Sequence, residues 1–65
     1  MSDFKDRLIE EKKELSERIE KLESFIGSEK YNTIEADQMT LLNIQLPAMR
    51  TYQQILTERI VRLTN

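Results

Sequence analysis

The sequence predicts an all-α protein, a helical hairpin of two long helices that assembles into a helical homo-oligomer. One glycine and one proline in 65 residues leave few places where a helix could end. Charged residues make up 34% of the chain, yet Arg50 is the one charge between Asp37 and Glu58. A helix with one side in water normally carries charge about every turn. This neutral stretch is therefore expected to be covered on more than one side.

Length and composition limit how the fold is stabilised. The 65 residues make a single helical domain, and a core of that size usually needs disulfides, a metal or oligomerisation. The chain has no cysteine and no histidine, which excludes disulfides and the usual zinc sites. No metal and no cofactor are expected, so oligomerisation is the remaining route to stability.

Helix 1 is predicted over about residues 3–26. Ser2 or Asp3 is the candidate cap, and Gly27 is the predicted residue after the helix, in the left-handed geometry that suits glycine. The apolar residues recur at spacings of mostly three and four. They are Phe4, Leu8, Leu15, Ile19, Leu22, Phe25 and Ile26.

A polar connection over residues 27–33 leads into helix 2, predicted over about residues 34–63. Thr33 is the candidate cap of this helix, which starts near Ile34 or Glu35. Pro47 lies inside the helix and removes a backbone hydrogen bond, so a bend is expected between Asn43 and Pro47. Helix 2 is expected to outrun helix 1 by several turns.

Two apolar rows can be drawn on helix 2. The first row is Leu42, Met49, Leu56 and Leu63. The second row lies one residue over and consists of Leu41, Ile44, Ala48 and Ile55. Helix 1 can cover only one of them. The other row, together with Ile60, Val61 and Leu63 at the overhanging end, is expected to need a partner chain.

Several function classes find little support. The chain has no histidine that could activate a serine or threonine nucleophile and no cysteine nucleophile. It also lacks a glycine-rich phosphate loop, so the protein is not expected to be an enzyme. The net charge of −2 and the lack of a basic block argue against duplex nucleic acid. No apolar run approaches the roughly 20 residues that span a bilayer, which argues against a membrane partner. A cytoplasmic location is expected.

The candidate binding residues allow alternatives. Arg50 is either a surface arginine that pairs with a carboxylate of another chain, or an arginine held in a neutral interface to meet an anion. Tyr52 is either a core aromatic with its hydroxyl at the rim or a platform for a base, and Arg59 lies on a neighbouring side of the helix. Phe4 packs on helix 2 or lines a pocket with a second subunit. Lys21 pairs by default with Glu17.

Two fragments in fixed order, Phe4 to Ile26 and Asp37 to Ile60, resemble a family of small phage proteins from T-even and crAss-like phages. Some members are anti-CBASS sponges, which sequester the cyclic oligonucleotide messengers of bacterial immunity. The helix 1 positions that match are Arg7, Glu11, Leu15, Lys21, Leu22, Phe25 and Ile26. The helix 2 positions are Asp37, Leu41, Leu42, Gln45, Met49, Tyr52, Leu56, Arg59 and Ile60.

The resemblance implies a hexamer of helical hairpins without catalytic turnover, acting in the cytoplasm of the infected host. In that family a cyclic dinucleotide lies between subunits, held by an aromatic near the start of helix 1 and a lysine before its final Leu-x-x-Phe. Carried over, these are Phe4 and Lys21. The resemblance also implies a separate site that takes cyclic trinucleotides with the help of arginine. Arg59 matches the arginine of the family's Met-x-x-Tyr helix ending. Phe4 departs from the family's tyrosine because it stacks without donating a hydrogen bond.

The resemblance therefore favours a sponge for cyclic di- and trinucleotides. The ligand-binding candidates are Phe4, Arg7, Lys21, Arg50, Tyr52 and Arg59. The alternative is a structural or adaptor helical oligomer that binds only protein partners. A small nucleic-acid-binding regulator is a third reading, which the charge balance disfavours.

Overall fold

The structure is a computed structural model that describes residues 3–64, with the side chains of residues 3–63. Within that range the chain is all helical, without strands. Helix α1 spans Asp3–Ile26, a short 3-10 helix spans Glu29–Thr33, and helix α2 spans Ala36–Thr64. The two long helices pack as an antiparallel hairpin in a rod of 47 × 15 × 14 Å. The predicted all-α class and its two long helices are confirmed.

The core is a single seam between α1 and α2. Leu8, Leu15 and Ile19 follow each other at spacings of seven and four on α1, so they form one stripe. They bury Leu56 of α2, whose side chain is 0% exposed. Burial of each such side chain contributes about 1.5–3 kcal/mol. The half-buried residues Leu46, Met49 and Ile60 pack against this seam.

Tyr31 ties the connection to both helices. Its ring meets the Phe25 ring edge to face, with centroids 6.1 Å apart. Its hydroxyl donates a hydrogen bond to the Met39 carbonyl at 3.3 Å. Because Phe25 belongs to the last turn of α1 and Met39 to the first turns of α2, one side chain holds the hairpin end closed.

The end of α1 differs from the predicted left-handed glycine cap. No glycine in the described residues has a positive φ, so Gly27 does not adopt that geometry and the prediction is wrong. The Gly27 amide instead donates to the Glu23 carbonyl at 3.1 Å, which continues the helical pattern. Ser28 then closes the helix, since its hydroxyl donates to the Phe25 carbonyl at 2.6 Å. A serine hydroxyl thus satisfies a carbonyl that a left-handed glycine would have satisfied through the backbone.

The predicted caps also need correction. The Thr33 hydroxyl donates to the Lys30 carbonyl at 2.7 Å within the 3-10 helix, so Thr33 is not the cap of α2. Helix α2 begins at Ala36, and the Met39 amide donates to the Glu35 carbonyl at 3.0 Å. At the other helix, Asp3 is the first residue of α1, and Ser2 lies outside the described residues.

Helix 1 covers one row of α2, as predicted. In the first row Leu56 is buried and Leu42 and Met49 are half-buried, whereas the whole second row is exposed. Helix α2 does not outrun α1 by several turns, since its 29 residues exceed the 24 of α1 by less than two turns. The expectation that Ile60 needs a partner chain is also wrong, because Ile60 packs on the core seam. Val61 and Leu63, the last residue of the first row, are exposed, and their need for a partner stays a prediction.

Helix α2 runs through Pro47 without a break. Threonine hydroxyls donate to the carbonyl four residues earlier at three places along the helix, from Thr40, Thr51 and Thr57. The bend at Pro47 and the assembly into a homo-oligomer stay predictions. Among the described residues, neither long helix has the length and apolarity that a membrane span requires.

The seam predicts a large effect of the Leu56→Ala substitution. It removes a fully buried side chain and leaves a cavity, so the free energy of unfolding should fall by about 2–5 kcal/mol. Urea denaturation followed by circular dichroism, at one fixed protein concentration, measures the change. Ile9→Ala is the matched control, since Ile9 is exposed on α1. Equal midpoints for the two variants would contradict the proposed seam.

The backbone at Gly27 makes a second prediction. A Cβ at this position would lie 3.6 Å from the Glu23 carbonyl oxygen and 3.8 Å from that of Ser24, which are ordinary contacts. Gly27→Ala should therefore raise the free energy of unfolding by about 0.4–1 kcal/mol, because it restricts the unfolded chain. The same denaturation experiment tests this. A lower midpoint would indicate the left-handed geometry that the sequence suggested.

Candidate functional site

Two neighbouring residues of α2 reach α1 on opposite sides of the seam. The Tyr52 hydroxyl donates a hydrogen bond to the Glu11 carboxylate. The Gln53 side-chain amide donates to the Ser16 hydroxyl at 2.8 Å. These contacts define two sides of the hairpin, called here the Tyr52 side and the Gln53 side.

Phe4 and Arg59 meet on the Tyr52 side. The central carbon of the Arg59 guanidinium lies 5.8 Å from the centroid of the Phe4 ring, within the range of a cation–π contact. Arg59 follows Tyr52 by seven residues, so both lie on one face of α2. Phe4 precedes Glu11 by seven residues, so both lie on one face of α1. Phe4 remains 57% exposed. The aromatic ring is thus held beside a cation while much of its surface stays accessible.

Arg7 completes the set of candidates on the Tyr52 side. It lies three residues after Phe4 and four before Glu11, which places it on the same face of α1, and it is exposed. The hairpin therefore brings four of the six sequence-predicted residues to one side. They are Phe4, Arg7, Tyr52 and Arg59. Two guanidinium groups, an aromatic ring and a phenol are available there together.

Glu11 sets the ionisation of Tyr52. The hydrogen bond to the Glu11 carboxylate raises the pKa of the Tyr52 phenol above its usual value, because the carboxylate stabilises the protonated form. Partial burial and the negative charge of Glu11 act in the same direction, and the positive charge of Arg59 opposes them. Tyr52 is thus a neutral hydrogen-bond donor at physiological pH.

Arg50 lies on the Gln53 side, three residues before Gln53, and forms an ion pair with Glu23 of its own chain. One alternative that the sequence predicts, a carboxylate of another chain, is thus replaced by a carboxylate of the same chain. Both side chains are about half exposed, with 52% for Arg50 and 43% for Glu23. The pair is therefore worth little stability, but it places a negative charge beside the guanidinium that an incoming anion would need.

Lys21 lies apart from the other candidates. It borders a shallow surface depression of about 480 Å³ on α1, together with Glu17, Glu20 and Ser24. Seventeen residues separate Lys21 from Phe4, which is about 25 Å along a helix. A single chain therefore does not bring together the two residues that the resemblance assigns to a dinucleotide.

Sequence reasoning did not assign Glu11 and Glu23 to the site. Both approach α2 residues that lie 41 and 27 positions away in the chain. Nothing in the local spacing identifies such partners, because they depend on how α1 is positioned against α2. They can be identified only when the antiparallel register between α1 and α2 is known.

The Sequestin family model matches residues 2–62 of the chain. This match covers nearly the whole sequence. The chain belongs to the Sequestin family. The family's name denotes binding and sequestration of a ligand, in contrast to catalysis. No curated protein and no solved structure matches the chain.

The Sequestin match supports the resemblance found in the two sequence fragments at the level of a sequestering family. It covers both helices, and hence the Tyr52 side, the Arg50–Glu23 pair and the Lys21 depression alike. The narrower resemblance to phage proteins stays a prediction, as do the roles of the individual residues.

The Tyr52–Glu11 contact of this Sequestin chain makes a prediction about pH. In a Tyr31→Phe background, Tyr52 is the remaining tyrosine, and its phenolate absorbance should appear at a pH above the usual midpoint near 10. Glu11→Gln should lower that pKa, because the carboxylate no longer favours the protonated phenol. Glu10→Gln is the control, since Glu10 makes no such contact. Identical titrations of the two variants would contradict the hydrogen bond.

Proposed function

We propose that this Sequestin protein is a non-enzymatic sponge for cyclic di- and trinucleotide immune messengers. It acts in the cytoplasm of a phage-infected bacterium, where removal of the messenger keeps the host's effector inactive and so blocks CBASS signalling. It works as a homo-oligomer, and the resemblance favours a hexamer. Membership of the Sequestin family supports the sequestering activity. The narrower ligand class is what the resemblance to the phage proteins implies, and the residues of the Tyr52 side fit a nucleotide.

The Phe4–Arg59 pair is the observation that carries the ligand class. A nucleotide presents a flat base next to an anionic phosphate, and this pair presents an aromatic ring next to a guanidinium. Aromatic rings stack on any base, and the planar guanidinium suits phosphate oxygens. Arg59 also has its positive charge free of an ion pair within 4.0 Å among the described residues, unlike Arg50 and Arg62.

Lys21 is proposed to act from a second chain. Since about 25 Å along α1 separates it from Phe4, one dinucleotide held by both residues lies between two copies of the hairpin. A symmetric boundary would then offer two lysines and two aromatic rings to a ligand with two phosphates and two bases. The shallow depression around Lys21 is open enough to be covered by another copy.

Incubation with a panel of cyclic di- and trinucleotides tests the sponge function. Purified protein in molar excess should deplete at least one nucleotide from solution, and heat denaturation should return it chemically unchanged to the supernatant. Chromatography of the supernatant before and after heating measures both steps. A bound nucleotide recovered as a linear product would indicate an enzyme. No depletion of any nucleotide would favour the adaptor that binds only proteins.

Arg59→Ala tests the proposed contact with a matched control. Loss of a charge-assisted hydrogen bond to phosphate costs about 1.5–3 kcal/mol, so the captured nucleotide should bind roughly tenfold or more weakly. Arg62→Ala is the control, because Arg62 lies one turn further along α2 and its nearest carboxylate is that of Glu58 at 3.9 Å. Equal affinities of the two variants, measured by isothermal titration calorimetry, would exclude Arg59 from the site.

A further inference from the structure

The exposed second row of α2, extended here by the neighbouring Tyr52, is symmetric about Ala48. Leu41 and Ile55 lie seven residues before and after it, and Ile44 and Tyr52 lie four residues before and after it. These four side chains are 57%, 49%, 61% and 40% exposed, although all are large and mainly apolar. Large apolar side chains placed at equal distances on both sides of one residue can face each other across a two-fold axis when a second copy of the helix runs antiparallel.

A negative and a positive residue also lie at equal distances from Ala48, one on each side. Asp37 precedes Ala48 by eleven residues, and Arg59 follows it by eleven. Eleven residues are close to three turns of helix, so both lie on the same side of α2 as Ala48. In an antiparallel pair each Asp37 would face the other chain's Arg59, whereas a parallel pair would place like charges together. Charge complementarity thus selects the antiparallel arrangement.

The centre of the row is suited to close approach. Ala48 has a small side chain, which allows the backbones of two α2 helices to approach each other closely at this residue. The Thr51 hydroxyl, beside the row, donates to the Pro47 carbonyl at 3.0 Å and is therefore satisfied within its own helix. Its burial would leave no donor unpaired. Arg50 lies on the Gln53 side, away from the row.

From these observations we infer that α2 pairs with α2 of a second copy, antiparallel and with a two-fold axis at Ala48. The pair buries the exposed row, and Asp37 of each chain meets Arg59 of the other at both ends. This inference specifies the partner surface for the self-association in the proposed function. It shares Arg59 with the proposed ligand site, so a bound phosphate would compete with Asp37 of the other chain for that guanidinium. Cross-linking in the absence of nucleotide tests the pair separately from the sponge function.

Disulfide cross-linking tests the register, because the natural chain has no cysteine. Two cysteines join only when their Cα atoms lie within about 7 Å. Ala48→Cys should therefore form a covalent homodimer on mild oxidation. Leu41→Cys should cross-link with Ile55→Cys in a mixture of the two variants, and neither should cross-link with itself. Gln54→Cys, exposed on another side of α2, gives the background of random collision.

Non-reducing electrophoresis of each oxidised variant gives the result, and circular dichroism verifies that each one is helical. Self-linking of Leu41→Cys above the Gln54→Cys background would indicate a parallel pair and overturn the inference. So would an Ala48→Cys yield no higher than that background. If Ala48→Cys did not fold, the Leu41→Cys and Ile55→Cys mixture would decide the same question.

Charge reversal tests the ends of the pair. Asp37→Arg puts an arginine opposite Arg59 at both ends, and should weaken self-association in sedimentation experiments on the order of tenfold. Asp37→Arg combined with Arg59→Asp restores both opposite-charge contacts and should restore association. Gln38→Arg, which introduces an arginine one residue over and changes the net charge by one unit where Asp37→Arg changes it by two, is the control. Failure of the double variant to recover relative to Asp37→Arg would contradict the pairing.

Discussion

Leu56 occupies the centre of the hairpin, fully buried against Leu8, Leu15 and Ile19 of α1. Among the described residues these are the four that are buried. A 65-residue chain without cysteine or histidine has neither a disulfide nor the usual zinc site to stabilise it. The packing of Leu56 against α1 fixes the register between the two helices along their length. The remaining contacts between the helices follow from that register.

The contacts on the two sides are individually weak. The Arg50–Glu23 pair, the Tyr52–Glu11 hydrogen bond and the Phe4–Arg59 contact all join exposed side chains, where water screens such contacts and they contribute little to stability. Their effect is on orientation more than on stability. They hold an arginine beside an aromatic ring on the Tyr52 side and neutralise another arginine on the Gln53 side.

A sponge needs stoichiometric, tight capture without turnover, and this requirement fits a small helical chain. The two surface depressions on the described part of α1 are open to solvent, so a deep site for the proposed sponge would lie between copies. The row about Ala48 that α1 leaves exposed would then contribute, because its apolar area is available for assembly. Folding stability and ligand binding would both depend on protein concentration.

The sequence by itself determined which residues share a face of each helix. Spacing of three and four predicted α1, and it separated the covered row at Leu56 from the exposed row at Leu41 and Ile55. These features follow from the period of one helix, which local sequence encodes. The choice of Phe4 and Arg59 as binding candidates depended in addition on the resemblance of the two fragments to a known family.

The tertiary structure alone decided which side chains meet. Glu11 with Tyr52 and Glu23 with Arg50 depend on the register between helices, which is set by packing at Leu56 and by no local spacing. The tertiary structure also decided how α1 ends. The sequence offers either a left-handed Gly27 or the Ser28 hydroxyl, and the structure has the Ser28 hydroxyl donating to the Phe25 carbonyl while Gly27 has no positive φ. Local periodicity assigns a residue to a face, but the contacts across two helices depend on where one rests against the other.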